Sequence, residues 1–358
     1  MKDKKQVEDI SEQELLELFN NTETVEEKVK IYSKIQDEDK KMELLSSIPE
    51  QDRYKFIGKL KTPQNIALAL DSFNDDKARE KTFDFVAKQL KGNSKRLLEI
   101  ASMINFRTTL PTNMLTFTLN NLNVLNLDFL INIKNNIENF AQMKFKVNEE
   151  DDSRNIEYSF GEISAIVGKI EELTADIPKN TDEANKFYTI YSRLTRMTTY
   201  DHECISRSED ARDRLRHKKN YGDREYNAHM KDIRKKAAGL YGGLVEGKAI
   251  CAGYALILHQ ALLYTGIKSQ YVGGYGIEGG HAWNQVQIDG KWYNADPTWD
   301  SATIQMQKKY KYMLLSDKAF DVSHGKFSNG RTKTYHQCKS TFDYSKIKGY
   351  SFDRGEER

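Results

Sequence analysis

The chain has 358 residues, enough for two domains, and its 38% apolar and 30% charged content is ordinary for a soluble globular protein. With 55 Lys and Arg against 53 Asp and Glu the net charge is +2, which argues against a general nucleic-acid or membrane-surface binder. Three cysteines, Cys204, Cys251 and Cys338, are too few and too scattered for a disulfide framework, and no apolar run approaches the ~18 residues of a membrane span. Met1-Lys-Asp-Lys-Lys leads into polar residues rather than a signal-peptide core. A cytoplasmic location is the expectation, or export by a route that reads no such signal.

The first 160 residues hold only Gly58 and Gly92, whereas twelve of the 21 glycines fall between Gly239 and Gly290, so the chain changes character part way along. In the early part Ser11 with Glu14 and Thr24 with Glu27 read as capping boxes, and Thr62-Pro63 as an N-cap followed by Pro at the first helical position. Apolar periodicity predicts helices at roughly 12–20, 25–36, 40–47, 51–60, 63–73, 76–90, 94–104 and 112–120. Residues 1–140 are therefore expected to form an all-α helical domain, a bundle or a helical-repeat (solenoid) scaffold, which the stretch from Leu119 to Phe140 would continue. Its surface could take a protein partner, or the helices could simply support the second domain.

That second domain is expected over 141–350, with a polar tail at 351–358. Met143 to Val147 and Ile156 to Phe160 read as strands around an acidic loop. A helix from Gly161 to Ile177 ends at Pro178, and another leads from Thr181 to Tyr200. Residues 201–236 carry eleven Lys/Arg and eight Asp/Glu with few apolar residues, which predicts a charged helical excursion or a lid.

Ala255, Leu256, Leu258, Ala261, Leu262 and Leu263 then recur at helical spacing until Gly266, so Cys251 falls at or just before a helix N-terminus. There the helix dipole favours a thiolate, and the first-turn N–H groups, around Ala252 and Gly253, are candidate oxyanion donors. Gly253 would also let a substrate or a strand approach closely. Farther on, Asp289-Gly290 between two strand-like runs predicts a type I′ hairpin. Its register sets Ile288 opposite Lys291, Gln285 opposite Asn294 and Trp283 opposite Asp296. His281 then shares a face with Asp296 as its diagonal neighbour, roughly 7–8 Å away and within side-chain reach. A thiol nucleophile needs a base, and the base needs a partner that holds its tautomer; Cys251, His281 and Asp296 supply those roles in order.

Gly247-Lys-Ala-Ile-Cys251-Ala-Gly-Tyr-Ala255, His281-Ala-Trp-Asn284 and Asp289-Gly-Lys-Trp-Tyr-Asn-Ala-Asp296-Pro-Thr-Trp-Asp300 together resemble the transglutaminase-like superfamily, papain-related in active-site logic, in its bacterial cysteine-peptidase type. Ile190-Tyr191 and Tyr200-Asp201 upstream, and Tyr312-Met-Leu-Leu-Ser-Asp317 with His324 downstream, are more weakly similar to the flanking family segments. The resemblance implies an α+β papain/transglutaminase-like catalytic domain, a Cys251-His281-Asp296 triad, a protein or peptide substrate and no cofactor or metal. Two departures matter. Ala252 follows the cysteine where family members often have Gln or Glu. Trp283, Trp292 and Trp299 all lie at or after the histidine, so the upstream Trp of crosslinking enzymes is missing, with Tyr241 as one candidate substitute.

Hydrolysis of a peptide or carboxamide bond is accordingly the favoured activity. Transamidation or deamidation by the same thioester, or a non-catalytic binding module with a retained triad, are the alternatives. Trp292 and Trp299 are expected in the core, and Trp283 stands beside the site as core or substrate contact. The pairs His202-Glu-Cys204 and His336-Gln-Cys338 do not have a structural-zinc spacing.

Overall fold

The computed structural model describes residues 10–90, 93–110, 115–119, 122–148, 155–204, 232, 235–277, 279–307, 310–326, 335–348 and 350. Most of the charged 201–236 excursion, the acidic loop at 149–154 and the polar tail fall outside them. The chain divides into two compact units, Met1–Phe117 with Asp128–Met143, and Thr118–Leu127 with Lys144–Arg358. Among the described residues no helix is long and apolar enough to cross a membrane.

In the first unit the helices are α1 (Glu12–Asn21), α2 (Val25–Tyr32), α3 (Glu38–Ser47), α4 (Glu50–Ile57), α5 (Pro63–Asp71), α6 (Asp76–Gln89) and α7 (Ser94–Met103). Most begin where a side chain accepts from a free first-turn N–H, which satisfies a donor that has no partner inside the helix. Ser11 forms the full reciprocal box with Glu14, and Thr62 caps α5 with Pro63 at its start. Thr24 accepts from the Glu27 N–H, but the Glu27 carboxylate turns to the Thr24 hydroxyl, so only half of that box forms. α1 packs on α2, α2 on α4, α3 on α5 and α5 on α7, with Phe19, Tyr32, Leu45, Leu70 and Phe83 buried.

Of the span 112–120, where a helix is expected, the described residues 115–119 do not form one. Thr116–Leu119 is strand β1, and its burial alternates exposed, buried, exposed, buried. Two β-branched threonines that alternate with buried Phe117 and Leu119 follow the period of two of a strand, which the short window hides among helical apolar positions. The stretch from Leu119 to Phe140 contributes α8 (Leu127–Asn136), and Thr108 ties to its end by donating to the Asn136 carbonyl and accepting from the Glu138 N–H.

In the second unit β2 (Lys144–Asn148) and β3 (Asn155–Ser159) pair antiparallel, and Ser159 with Glu162 forms a capping box that starts α9 (Phe160–Thr174). α10 (Glu183–Met197) follows, then β4 (Thr199–Tyr200) runs parallel to β5 (Lys248–Ala249). A π-helical turn over Gly242–Glu246 ends at Gly247, whose φ of +72° lies in the left-handed region that favours glycine. α11 (Cys251–Tyr264) is mostly apolar and buried from Gly253 to Leu262, His259 and Gln260 included. Such a helix needs cover on every side. β6 (Ser269–Gly276) and β7 (Gly279–Ile288) pack on it, as do α9, α10 and α12 (Pro297–Gln307). Each of its fully buried Leu and Ile side chains contributes roughly 1.5–3 kcal/mol.

The main sheet has the order β8 (Lys291–Ala295), β7, β6, β9 (Gly325–Lys326), antiparallel throughout. Asp289 and Gly290 have φ of +49° and +77°, the two positive values a type I′ turn requires, and Ile288 pairs with Lys291 and Gln285 with Asn294. The ladder closes at Asn284 and Ala295; beyond it the Asp296 N–H donates to the Tyr312 carbonyl instead. A short helix, α13 (Asp317–Phe320), capped by Ser316, precedes β9.

Candidate active site

Cys251 is the first residue of α11, half-buried, and Ile250 before it offers no side-chain cap to the first-turn N–H groups. Those donors, of Cys251, Ala252 and Gly253, precede any intrahelical acceptor and sit at the positive end of the helix dipole. Ala252 is half-buried and Gly253 buried. A Cβ on Gly253 would stand 2.5 Å from the Ala237 carbonyl oxygen and 2.9 Å from the Ala249 Cβ, so this glycine seats the helix start against its own neighbouring backbone. Tyr241 is half-buried immediately before the π-helical turn.

The hairpin register brings His281 to Asp296 as the diagonal geometry requires. His281 Nε2 donates to Asp296 Oδ2 at 2.8 Å, and Cys251 is the second group whose charge acts on the same imidazole. Burial opposes a charge on that ring, but the hydrogen bonds to Asp296 and Cys251 outweigh it and push the His281 pKa up to about 10. For Asp296, burial likewise opposes the charge, and the hydrogen bonds from His281 and His324 overcome it and hold the carboxyl below the usual carboxylate range.

Four donors surround the fully buried Asp296 carboxylate. Oδ1 accepts from the N–H groups of Thr298 and Trp299 at 2.8 and 3.3 Å, and Oδ2 accepts from His281 and, at 3.2 Å, from Nε2 of His324. The first pair exists because Pro297 starts α12, turning its opening N–H groups back onto the preceding side chain. One turn on, fully buried Asp300 accepts from the Tyr191 hydroxyl at 2.7 Å and from the N–H groups of Lys311 and Tyr312. Burial, only partly offset by those donors, raises the Asp300 carboxyl to about 7.

Aromatic rings set the walls. Trp299 is half-buried and stacks on the His281 ring, centroids 4.8 Å apart at 25°, so it belongs to the site rather than to the expected core. Trp292 is also not a core residue; half-buried, it stacks on His336 at 3.7 Å and 5°. Trp283 is fully buried against Val272 and Phe320, and forms the backing behind His281 rather than a face open to substrate. β6 makes room for these rings: a Cβ at Gly274 would stand 2.3 Å from Trp283, and one at Gly276 would stand 2.9 Å from Trp299.

Among the described residues the group with metal-ligand chemistry is His281, Asp296 and His324, their ligand atoms within 4.8 Å of one another. Both imidazole Nε2 atoms are aimed at one carboxylate oxygen, which makes the cluster a hydrogen-bond network rather than a cation cradle. The His202/Cys204 and His336/Cys338 pairs are not part of it. Buried Cys338 instead accepts from the Gln285 side chain, and its thiol pKa is raised to about 12, by burial first and Asp317 second.

Residues 225–297 match the family model of the transglutaminase-like superfamily, a span that ends just past Asp296. No curated protein matches the chain. Among solved structures, one described as the crystal structure of a TGase aligns with 47% of this chain at 23% identity and a TM-score of 0.29. The aligned part covers 37% of that protein's own length. Through the matched segment, this chain carries a transglutaminase-like domain, of a superfamily with papain-like enzyme chemistry.

Proposed function

We propose that this domain is a thiol-dependent hydrolase that cleaves a peptide or carboxamide bond of a protein or peptide through a thioester on Cys251. The observation that carries the reading is the His281 imidazole held on the buried Asp296 carboxylate, Nε2 to Oδ2 at 2.8 Å, with Cys251 at the helix start acting on the same ring. Nε2 facing Asp296 leaves Nδ1 to serve the thiol. The Cys251 proton passes to His281, the thiolate sulfur attacks the substrate carbonyl carbon, and first-turn N–H groups of α11 stabilise the oxyanion. The imidazolium then protonates the leaving amine or ammonia, and neutral His281 deprotonates the water that resolves the thioester. Asp296 holds the ring and balances its charge throughout.

An amine in place of water would give transamidation with the same residues. Water is favoured because the three Trp residues, Trp283, Trp292 and Trp299, all lie at or after His281, so none stands upstream of the thiol. The experiment is to incubate the protein with peptide and protein mixtures, quench in acid and search Cys251 for acyl adducts by mass spectrometry, in normal and 18O water. Acyl-Cys251 with 18O in the released acid supports hydrolysis. Amine-linked products without 18O would replace it by transamidation, and a bare Cys251 under every condition would leave a binding module.

A further inference from the structure

His324 lies beyond the matched segment and has no place in the thiol, base and carboxylate scheme, yet it is 2% exposed and shares Asp296 Oδ2 with His281. A polar ring that buried needs partners, and it has them on both nitrogens. Nε2 meets Asp296 at 3.2 Å, and Nδ1 meets the Ser323 hydroxyl at 2.9 Å. The ring lies flat on Phe320, centroids 3.8 Å apart at 18°, and is 4.2 Å from Trp299, the ring that covers His281. Its backbone is fixed from both sides. The His324 N–H donates to the Phe320 carbonyl at the end of α13, and β9 begins at the next residue, pairing Gly325 with Tyr275 and Lys326 with Gly274 of β6.

We propose that His324 is a positioning residue that fixes and keeps ionised the carboxylate on which His281 depends, which rests on the proposed thiol–imidazole function. When His281 gives its proton to the leaving group, Asp296 is left as a buried anion facing a neutral ring, and an anion in that setting persists only on directed donors. Thr298 and Trp299 supply two of them to Oδ1; on Oδ2 the His281 Nε2–H stays in place while its ring loses the charge, and His324 supplies a second donor from a ring that takes no part in proton transfer. Its rigid seat on Phe320 also stops the carboxylate from rotating away from His281.

Asp296 is faced by His281 from β7 and by His324 from the turn after α13, and its charge is felt by Asp300 on α12, Tyr191 on α10, Tyr254 on α11 and Tyr312. Of these, His281 and His324 hold its carboxyl down against burial. Removing the His324 donor therefore raises the pH at which Asp296, and with it the activated thiol, is lost on acidification.

The test is the rate of Cys251 alkylation by iodoacetamide against pH in the full chain, which needs no knowledge of the substrate. His324→Phe keeps a ring on Phe320 and Trp299 but has no donor, and is expected to move the acid edge of the profile up by about one pH unit. His324→Gln restores a donor and should bring the edge back towards the wild type, a rescue that a purely packing role would not show. Ser323→Ala, which frees Nδ1 while leaving the ring in place, should move the edge in the same direction by less. An unchanged edge in both His324→Phe and Ser323→Ala, or equal shifts in the Phe and Gln variants, overturns the role of His324. Should His281→Ala leave the wild-type profile intact, the thiol–imidazole reading itself has failed; should it collapse the profile while His324→Phe does not shift it, only the positioning role falls.

Discussion

In the helical unit the described side chains shut off from water are mainly apolar, such as Tyr32, Ile35, Leu70 and Phe83, with Thr82 and Thr108 as uncharged hydroxyls, whereas around the site they include Asn284, Gln285, Asn294, Asp296 and Asp300, each 0% exposed. The two regions are stabilised on different terms. Apolar burial is non-directional and accumulates in steps of roughly 1.5–3 kcal/mol per side chain, so neighbours can shift to absorb a loss. A buried carboxylate costs several kcal/mol unless specific donors surround it, so each donor matters by its position. The first arrangement tolerates small shifts; the second is retained where a charge has to stand in one place.

Substitutions that remove one term from each side sharpen that contrast. Asp296→Ala should have the largest effect, because it strips His281 and His324 of a shared acceptor at once. Cys251-dependent turnover should fall by on the order of 10³–10⁴-fold, measured as acyl-enzyme formation, while the circular dichroism of the helices persists. A fall of less than tenfold would take Asp296 out of the chemistry. Next comes Leu70→Ala in α5, 0% exposed, which should lower unfolding free energy by about 2–5 kcal/mol in a denaturant titration and leave the alkylation rate of Cys251 as it was. A change in thiol reactivity there would mean that the helical unit acts on the site.

A smaller effect separates the two buried carboxylates by pH. Asp300 has a folded-state pKa of about 7 against an ordinary 3.8, so the stability it contributes is fully present below about 4 and is lost as pH rises through about 7. Asp300→Asn should flatten the decline of melting temperature between about pH 5 and 8. Parallel declines in wild type and variant would contradict the raised carboxyl. Ser11→Ala, which removes the cap of α1, should be the mildest, about 1 kcal/mol by the same denaturant titration and with no effect at the site. A loss of several kcal/mol would show that α1 depends on that one cap.

What could be read from the amino-acid sequence was whatever local chemistry determines. Asp289-Gly290 sets a turn, the turn sets the register, and the register places His281 by Asp296. Gly266 and the apolar run before it set α11 and hence the position of Cys251. Elsewhere either the segment was too short for its period to show or tertiary contact rather than local pattern decided the outcome. Thr116–Leu119 is too short for period two to win over helical spacing, and Trp299 looks like any strand-end aromatic until α12 turns it onto His281. His324 resembled a family position but showed no role, because its partner lies 28 residues away and only the α13 turn and β9 bring them together. Asp300 gave no sign of burial, since Tyr191, its hydroxyl partner, is 109 residues upstream.

The central claim is that Cys251 is activated by the imidazole it shares with Asp296. It is tested most directly by competitive alkylation near neutral pH, with Cys251, Cys204 and Cys338 each quantified by mass spectrometry in wild type and His281→Ala. Cys204 and Cys338 are buried, so the comparison is made under native conditions and again after unfolding, to remove the effect of access. The account predicts that native Cys251 reacts at least about tenfold faster than the same thiol in unfolded protein, and that His281→Ala abolishes the excess. Reaction no faster than in the unfolded chain, or a rate unchanged by His281→Ala, would contradict it.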